Sequence, residues 1–258
     1  MLYKLCKRLS AYSRLIRIDK PVGIFLLLWP TLWALWMASE GLPDAKVFFT
    51  YVLGTILMRS AGCAVNDYAD RNFDSKVKRT ASRPLANGEI APWEALLIAS
   101  LFSIVAFGLV LTLNLLTIKL SFLALFLVIS YPYAKRYISI PQAYLGIAFG
   151  FGIPMAWAST VNHVPLVALV TMLGNIFWVL AYDTQYAMVD RDDDLKIGVK
   201  TTAILFGKLD VLWIIFFQFS FAVVMCSVGI MGGLGMLYFI GLFCSVVAMA
   251  MQYPMIKS

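Results

Sequence analysis

The sequence predicts an all-α fold, a polytopic transmembrane helical bundle, and three observations carry that prediction. Charge is scarce: 61% of the residues are hydrophobic and 14% are charged, against about 25% charged in soluble globular chains. Mean hydropathy is +0.83. Charge is also missing in long blocks, with no Asp, Glu, Lys or Arg from Tyr137 to Tyr182 or from Val211 to Ile256. A spanning helix needs roughly 20 apolar residues, so each block accommodates a pair of spans. Finally, the apolar runs are continuous rather than alternating. A closed barrel alternates apolar and polar positions, and lipid leaves the backbone no third option. The spans are helices.

Taken in order, the spans fall at 22–39, 47–65, 92–113, 119–134, 142–158, 164–182, 211–230 and 234–252. Short polar or Gly/Pro segments separate them, as in EGLPDAK and STVNHVP. Ahead of the first span, LCKRLSAYSRLIRIDKP reads as an amphipathic interfacial helix within residues 1–20. It lacks the small-residue cleavage site of a removable leader. The chain reads as one domain, 1–258, with a possible internal repeat of about 22–134 on 142–252. Placing the N-terminus inside puts nearly all Lys and Arg on one face, with only Lys46 and Lys119 opposite and Arg59 within the second span. That asymmetry is the positive-inside pattern. It accounts for the formal charge of +7 as topology rather than nucleic-acid binding. The four cysteines show no paired spacing and read as small apolar fillers.

Two inner loops, 66–91 and 183–210, are long, polar and Asp-rich, so function faces the cytoplasm. Asp74-Ser-Lys76 leading to Thr80 resembles Asp194-Leu-Lys196 leading to Thr201, the basis of the possible repeat. In NDYADRNFD, Asn66, Asp70 and Asp74 stand at i, i+4 and i+8, one helical face, with Asp67 one position round. In DTQYAMVDRDDD, Asp183, Asp190 and Asp194 form a second stripe, with Asp193 beside it. Carboxylates crowded on one face repel unless cations lie between them. Oxygen donors without His or Cys favour a hard ion, Mg²⁺ or Ca²⁺. Mg²⁺ takes one or two carboxylates and completes its shell with water and substrate phosphate. Arg59, Arg71, Lys76, Lys78, Arg79, Arg83, Lys196 and Lys200 supply donors for phosphate oxygens.

A polar run at a span end is more often a solvated face than a site, and a lone charge there is more often topology. That bland reading suits Lys4, Lys7, Arg8 and Lys20. It fits poorly with Arg59, buried in an apolar span, or with a helical acidic spacing that recurs twice on one side. His163, in an outer turn, is incidental. Tyr68, Tyr131, Tyr133, Tyr182 and Tyr186 neighbour the polar segments and are candidates for stabilising a carbocation through their ring faces.

The motif Asn66-Asp67-x-x-Asp70-x-x-x-Asp74 followed by VKRTASRPL resembles the first signature of the UbiA-type intramembrane prenyltransferases. YDTQYAMVDRDDDLKIGVKTTAILFG resembles their second signature, in the form found in the branch that prenylates 4-hydroxybenzoate for ubiquinone biosynthesis. RIDKPVG and YPYAKRYISIPQ resemble the same branch, so the likeness covers nearly the whole chain. The resemblance implies a bundle of nine spans around a central cavity, one more than read here, in a bacterial inner membrane. It implies Mg²⁺ held with a polyprenyl diphosphate by Asn66, Asp70, Asp74, Asp190 and Asp194, and diphosphate contacts from Arg59 and Arg71. Arg136 would hold the acceptor carboxylate, with Lys135 beside it; from the residues themselves, Asp67, Lys76, Arg79, Arg83 and Lys196 are candidates to contact the substrates. Asp183 or the diphosphate itself would take the ring proton. Two rival readings are the same chemistry on another acceptor, such as a naphthoate, homogentisate, haem or chlorophyllide, and a secondary transporter. Transporters bind near mid-membrane, whereas these acids lie at span ends.

Overall fold

The structure is a computed structural model that describes residues 2–254; the side chains of residues 2–5, 135 and 197 lie outside the described residues, so the expectation for Lys135 does too. The chain folds as α1 (Leu2–Leu15), α2 (Val22–Ala38), α3 (Ala45–Asp74), α4 (Pro92–Val110), α5 (Leu115–Tyr137) and α6 (Pro141–Gly150). There follow α7 (Gly152–Val161), α8 (Leu166–Ile197), a short α9 (Thr202–Phe206), α10 (Asp210–Met231) and α11 (Met236–Met251). No strand occurs among the described residues. Six segments are long and apolar enough to cross a membrane: 45–74, 92–110, 115–134, 141–161, 166–196 and 202–231. Two shorter apolar helices, Val22–Ala38 and Met236–Met251, coincide with the first and last spans read from the sequence. The protein is a multi-pass, all-helical membrane protein.

Helix ends follow local chemistry. Asp44 Oδ1 accepts the Val47 N–H that opens α3, and the side chain of Asn114 caps α5 through Thr117 N–H. Gly198 closes α8 with a φ of 72°, a left-handed conformation that glycine adopts without a β-carbon clash. Two helices differ from expectation at their inner ends. The polar segments 66–91 and 183–210 begin not as loops but as continuations of α3 and α8, which run 30 and 32 residues. Internal backbone bonding carries each helix past its apolar portion into its acidic one.

The predicted span 142–158 is broken at Phe151 into α6 and α7. Pro154 has no N–H to offer the Gly150 carbonyl, which opens the helix there. Glycines make the broken segment thin. A β-carbon on Gly152 would sit 2.1 Å from Thr31 Oγ1, and one on Gly150 would sit 2.7 Å from Asn175 Nδ2. Small residues are what let helices approach closely in lipid, where hydrophobic force between them is absent. α2 packs on α7 and α6 on α8 through this seam. Around it lies a core of Ala34, Leu35, Tyr51, Leu127, Phe151 and Ile153. Large apolar side chains such as Phe219, Leu237 and Phe243 face outward.

Gly152→Ala is expected to lower stability by about 1–3 kcal/mol, the range for overpacking a tight contact. Thermal unfolding in detergent measures it, and adding Thr31→Ala should return most of the loss; an unchanged midpoint in the single variant would refute the seam.

Candidate functional site

At the end of the bundle where α3 and α8 carry their acidic turns, a cavity of about 440 Å³ opens between α3, α5, α6 and α8. Asn66, Asp70 and Asp74 enter it from α3; Asp183, Asp190 and Asp194 enter from α8. The i, i+4 spacing on each helix therefore brings two stripes into one space. Asp70 and Asp74 are buried, at 5% and 7% exposure. Around the stripes stand Arg79 and Arg83 from the segment after α3, and Arg136 from the end of α5. Tyr131, Tyr186 and Phe73 supply aromatic wall.

The arginines are placed by the carboxylates they compensate. Arg79 pairs with Asp190, linking the segment after α3 to the opposite stripe. Arg83 Nη1 lies 2.7 Å from Asp74 Oδ2 and 3.1 Å from Asp67 Oδ1. Arg136 Nη2 donates to the Ala69 carbonyl at 2.7 Å and lies 3.9 Å from Asp70 Oδ1, its guanidinium above Phe73. Lys200, carried past α8 by the turn at Gly198, lines the cavity and donates to the Tyr137 carbonyl.

Other candidates lie elsewhere. Asp67 does not line the cavity; it is fully buried and paired with Arg17 at 2.7 Å and with Arg83. Arg71 stacks 4.3 Å above the Tyr68 ring and bonds the Tyr68 carbonyl. Adjacent to Asp70 in sequence, it is turned about 100° round the helix. Arg59 sits two turns deeper in α3 beneath Gly23, bonded to Cys63 Sγ and near the Phe149 ring, and its Nε has no hydrogen-bond partner. Lys76 is exposed. Lys196 is exposed and pairs with Asp193 at 3.2 Å. Tyr182 lies below the cavity on α8, its buried hydroxyl without a partner and its ring against Trp178. Tyr133 lies under Arg136.

Sequence reading does not single out Gln142, which is 4% exposed and lines the cavity while its Oε1 accepts the Thr202 N–H. Its signal is plain in retrospect: a lone amide beside Pro141 in an otherwise apolar segment. Arg17 escapes notice for the same reason as any long-range partner. It stands among basic residues that topology already explains.

Do these residues suit Mg²⁺? Every charged donor in the cavity is a carboxylate, the preference of a hard cation. Among the described residues no three His, Cys, Asp or Glu side chains form a group that would hold a metal ion by themselves. An ion that completes its shell with water and phosphate oxygens needs no such cage, so the donor set fits one that arrives with a diphosphate.

Outside the cavity α1 braces the segment that carries Arg79 and Arg83. Glu94 accepts from Arg8 at 2.7 Å, from Tyr12 at 2.6 Å and from the Ala91 N–H at 2.7 Å. Arg14 pairs with Glu89. Ala11 and Leu15 are buried against Ala61, Ala64, Leu85 and Ile90.

Fold and site together define a membrane-embedded helical bundle in which two acidic helices meet at one cavity. The chain belongs to the UbiA prenyltransferase family, whose model matches residues 27–258. It is 57% identical over 251 residues to a 4-hydroxybenzoate octaprenyltransferase of Cupriavidus pinatubonensis, covering 97% of this chain and 88% of the relative. It is 55% identical over 252 residues to one of Nitrosospira multiformis, covering 98% and 87%. Among solved structures, a UbiA homolog from Aeropyrum pernix K1 superposes with a TM-score of 0.80 at 25% identity, covering 90% of this chain and 87% of that one. A UbiA homolog from Archaeoglobus fulgidus bound to GPP and Mg²⁺ shares the fold, with a TM-score of 0.74 at 17% identity over 96% and 87%.

The Arg14 hydrogen bond holds the Glu89 carboxyl below the usual glutamate range. A depressed carboxyl contributes stability that is present above its unfolded pKa and is lost as pH falls through its folded one. Glu89→Gln is therefore expected to be less stable than wild type at pH 7, by under ~1 kcal/mol for so exposed a pair, read as a lower thermal midpoint. The two should converge in acid, and a gap independent of pH would remove the pair's role.

Proposed function

We propose that the protein transfers a polyprenyl group from a polyprenyl diphosphate to the ring of 4-hydroxybenzoate, ortho to the phenol, in a Mg²⁺-dependent step of ubiquinone biosynthesis. The observation that carries the reading is the cavity where Asn66, Asp70 and Asp74 of one helix meet Asp183, Asp190 and Asp194 of another. The names of the relatives that align over almost the whole chain support the acceptor and the long prenyl donor. The Archaeoglobus fulgidus homolog bound to GPP and Mg²⁺ supports the metal and the diphosphate. The basic inner segments support a bacterial inner-membrane protein with its N-terminus and site facing the cytoplasm.

In this reading Asn66, Asp70, Asp74, Asp190 and Asp194 hold Mg²⁺ against the diphosphate. Mg²⁺ held there would supply positive charge that offsets the diphosphate and makes it a better leaving group. Arg79 and Arg83 stand where negative charge grows as the allylic C–O bond breaks, and its electron pair departs with the diphosphate. Arg59 and Arg71 add positive charge at longer range. Tyr131 and Tyr186 present ring faces to the developing allylic cation. The ring carbon ortho to the phenol forms the new bond to C1, and its proton passes to Asp183 or to the departing diphosphate. Arg136, on the α5 side of the cavity, orients the acceptor carboxylate, with Lys135 beside it.

Membranes carrying the protein, supplied with Mg²⁺, 4-hydroxybenzoate and a polyprenyl diphosphate, are expected to yield the prenylated acid. Product from a naphthoate, homogentisate, haem or chlorophyllide and none from 4-hydroxybenzoate would reassign the acceptor. Asp70→Ala and Asp190→Ala should each reduce turnover by on the order of a hundredfold or more while the protein still inserts; full activity in either would overturn the metal role. Chelating the divalent cation should stop turnover reversibly, with Mg²⁺ restoring it.

A further inference from the structure

Asp67 belongs to the acidic motif yet does something different from its neighbours. Its side chain is 0% exposed, it does not line the cavity, and Oδ2 has no hydrogen-bond partner. Its charge is met from two directions. Arg17, in the turn after α1, donates to Oδ1 at 2.7 Å. Arg83 reaches the same oxygen at 3.1 Å and, with that same Nη1, Asp74 Oδ2 at 2.7 Å. One guanidinium nitrogen therefore bridges a buried carboxylate and a cavity carboxylate.

The backbone points the same way. Arg17 has a φ of 58°, a left-handed conformation that a side chain with a β-carbon adopts only at a cost. The turn around it is fixed by Ile18 N–H to the Ser13 carbonyl and Lys20 N–H to the Arg17 carbonyl. α1 in turn is held at Glu94 and Glu89, the second lying on the segment that carries Arg83. The segment of Arg83 is thus braced at Glu89 and, just beyond it, at Glu94 of α4, and Asp67 is the point where both arginines meet.

We propose that Arg17 and Asp67 are positioning residues: they hold Arg83 in place and, through it, set the carboxylate of Asp74 that the first acidic stripe presents to the cavity. The proposal rests on the metal–diphosphate reading of that stripe. Without Arg17, Asp67 keeps Arg83 alone and draws it from Asp74, and the hydrogen bond that orients the Asp74 carboxylate is lost. Without the Asp67 charge, Arg83 loses its anchor and pairs with Asp74 more closely, competing with a cation for the same oxygens. Either change weakens the metal site without touching a cavity-lining residue.

The test uses purified protein in detergent, Mn²⁺ followed by electron paramagnetic resonance as the metal probe, and inorganic diphosphate as the anion. Arg17→Met and Asp67→Asn are each expected to weaken Mn²⁺ binding in the presence of diphosphate by about tenfold, equivalent to about 1.4 kcal/mol. Thermal unfolding confirms that each variant is folded. Residues acting as one unit are non-additive, so the double variant should lose little more than either single one. Arg17→Lys, which keeps the charge, should recover part of the affinity. Wild-type affinity in Arg17→Met, or single effects that add in full, overturns the proposal. Should Arg17→Met fail to fold, Asp67→Asn, nearly isosteric with the native side chain, carries the test alone, and an unshifted affinity there overturns it equally. Wild-type protein that binds neither Mn²⁺ nor diphosphate sinks the functional reading itself, a result distinct from an intact site with unshifted variants.

Discussion

Carboxylates from two helices converge on a cavity of about 440 Å³, and like charges so close cannot all stay ionised without cations among them. The chain answers with arginines from outside the two helices: Arg79 toward Asp190, Arg83 toward Asp74, Arg136 toward Asp70. Each reaches in from a segment that would otherwise be a peripheral connection. The folding of those connections is therefore governed by the acids they face. The segment after α3 is pinned at Asp190, at Asp74 and at Arg14 of α1, so one irregular stretch of chain ties both acidic helices to the N-terminal helix.

This arrangement needs α3 and α8 to be rigid where they are least apolar. Neither helix stops where its hydrophobic residues end, because the backbone bonds of the acidic turns are already satisfied internally. Side-chain spacing then does the rest, presenting Asn66, Asp70 and Asp74 on one face and Asp183, Asp190 and Asp194 on another. Deeper in the bundle the broken α6–α7 segment, thinned at Gly150 and Gly152, lets α2 and α8 pack closely on either side of it.

Much of this was legible in residue order. Eight apolar runs coincide with helices, and a period near four located both acidic faces, because helical periodicity depends only on local geometry. Hydropathy averages over a window, so it could not see the break at Phe151, where one missing N–H at Pro154 decides. Adjacency misleads in the same way: Arg71 and Asp67 flank cavity residues in sequence but face elsewhere, toward Tyr68 and toward Arg17. The Arg17–Asp67 pair joins the turn after α1 to α3, and no spacing rule reaches that far. Gln142 is hidden by ordinariness, a single amide whose burial is decided by Thr202.

The length of α8 has a consequence for how an amphiphile would be handled. At 1.5 Å per residue its 32 residues extend about 48 Å, while the hydrocarbon of a bilayer is about 30 Å thick. Even allowing for tilt, a helix that starts at one edge of the hydrocarbon carries its turns from Asp190 to Asp194 past the other edge, into the headgroup region. A molecule with a long greasy tail and a charged head is divided at the same boundary by the protein as by the bilayer. In the proposed reading such a donor would move sideways into position without its tail entering water or its head entering oil, so capture would sacrifice little of the free energy that keeps it in the membrane.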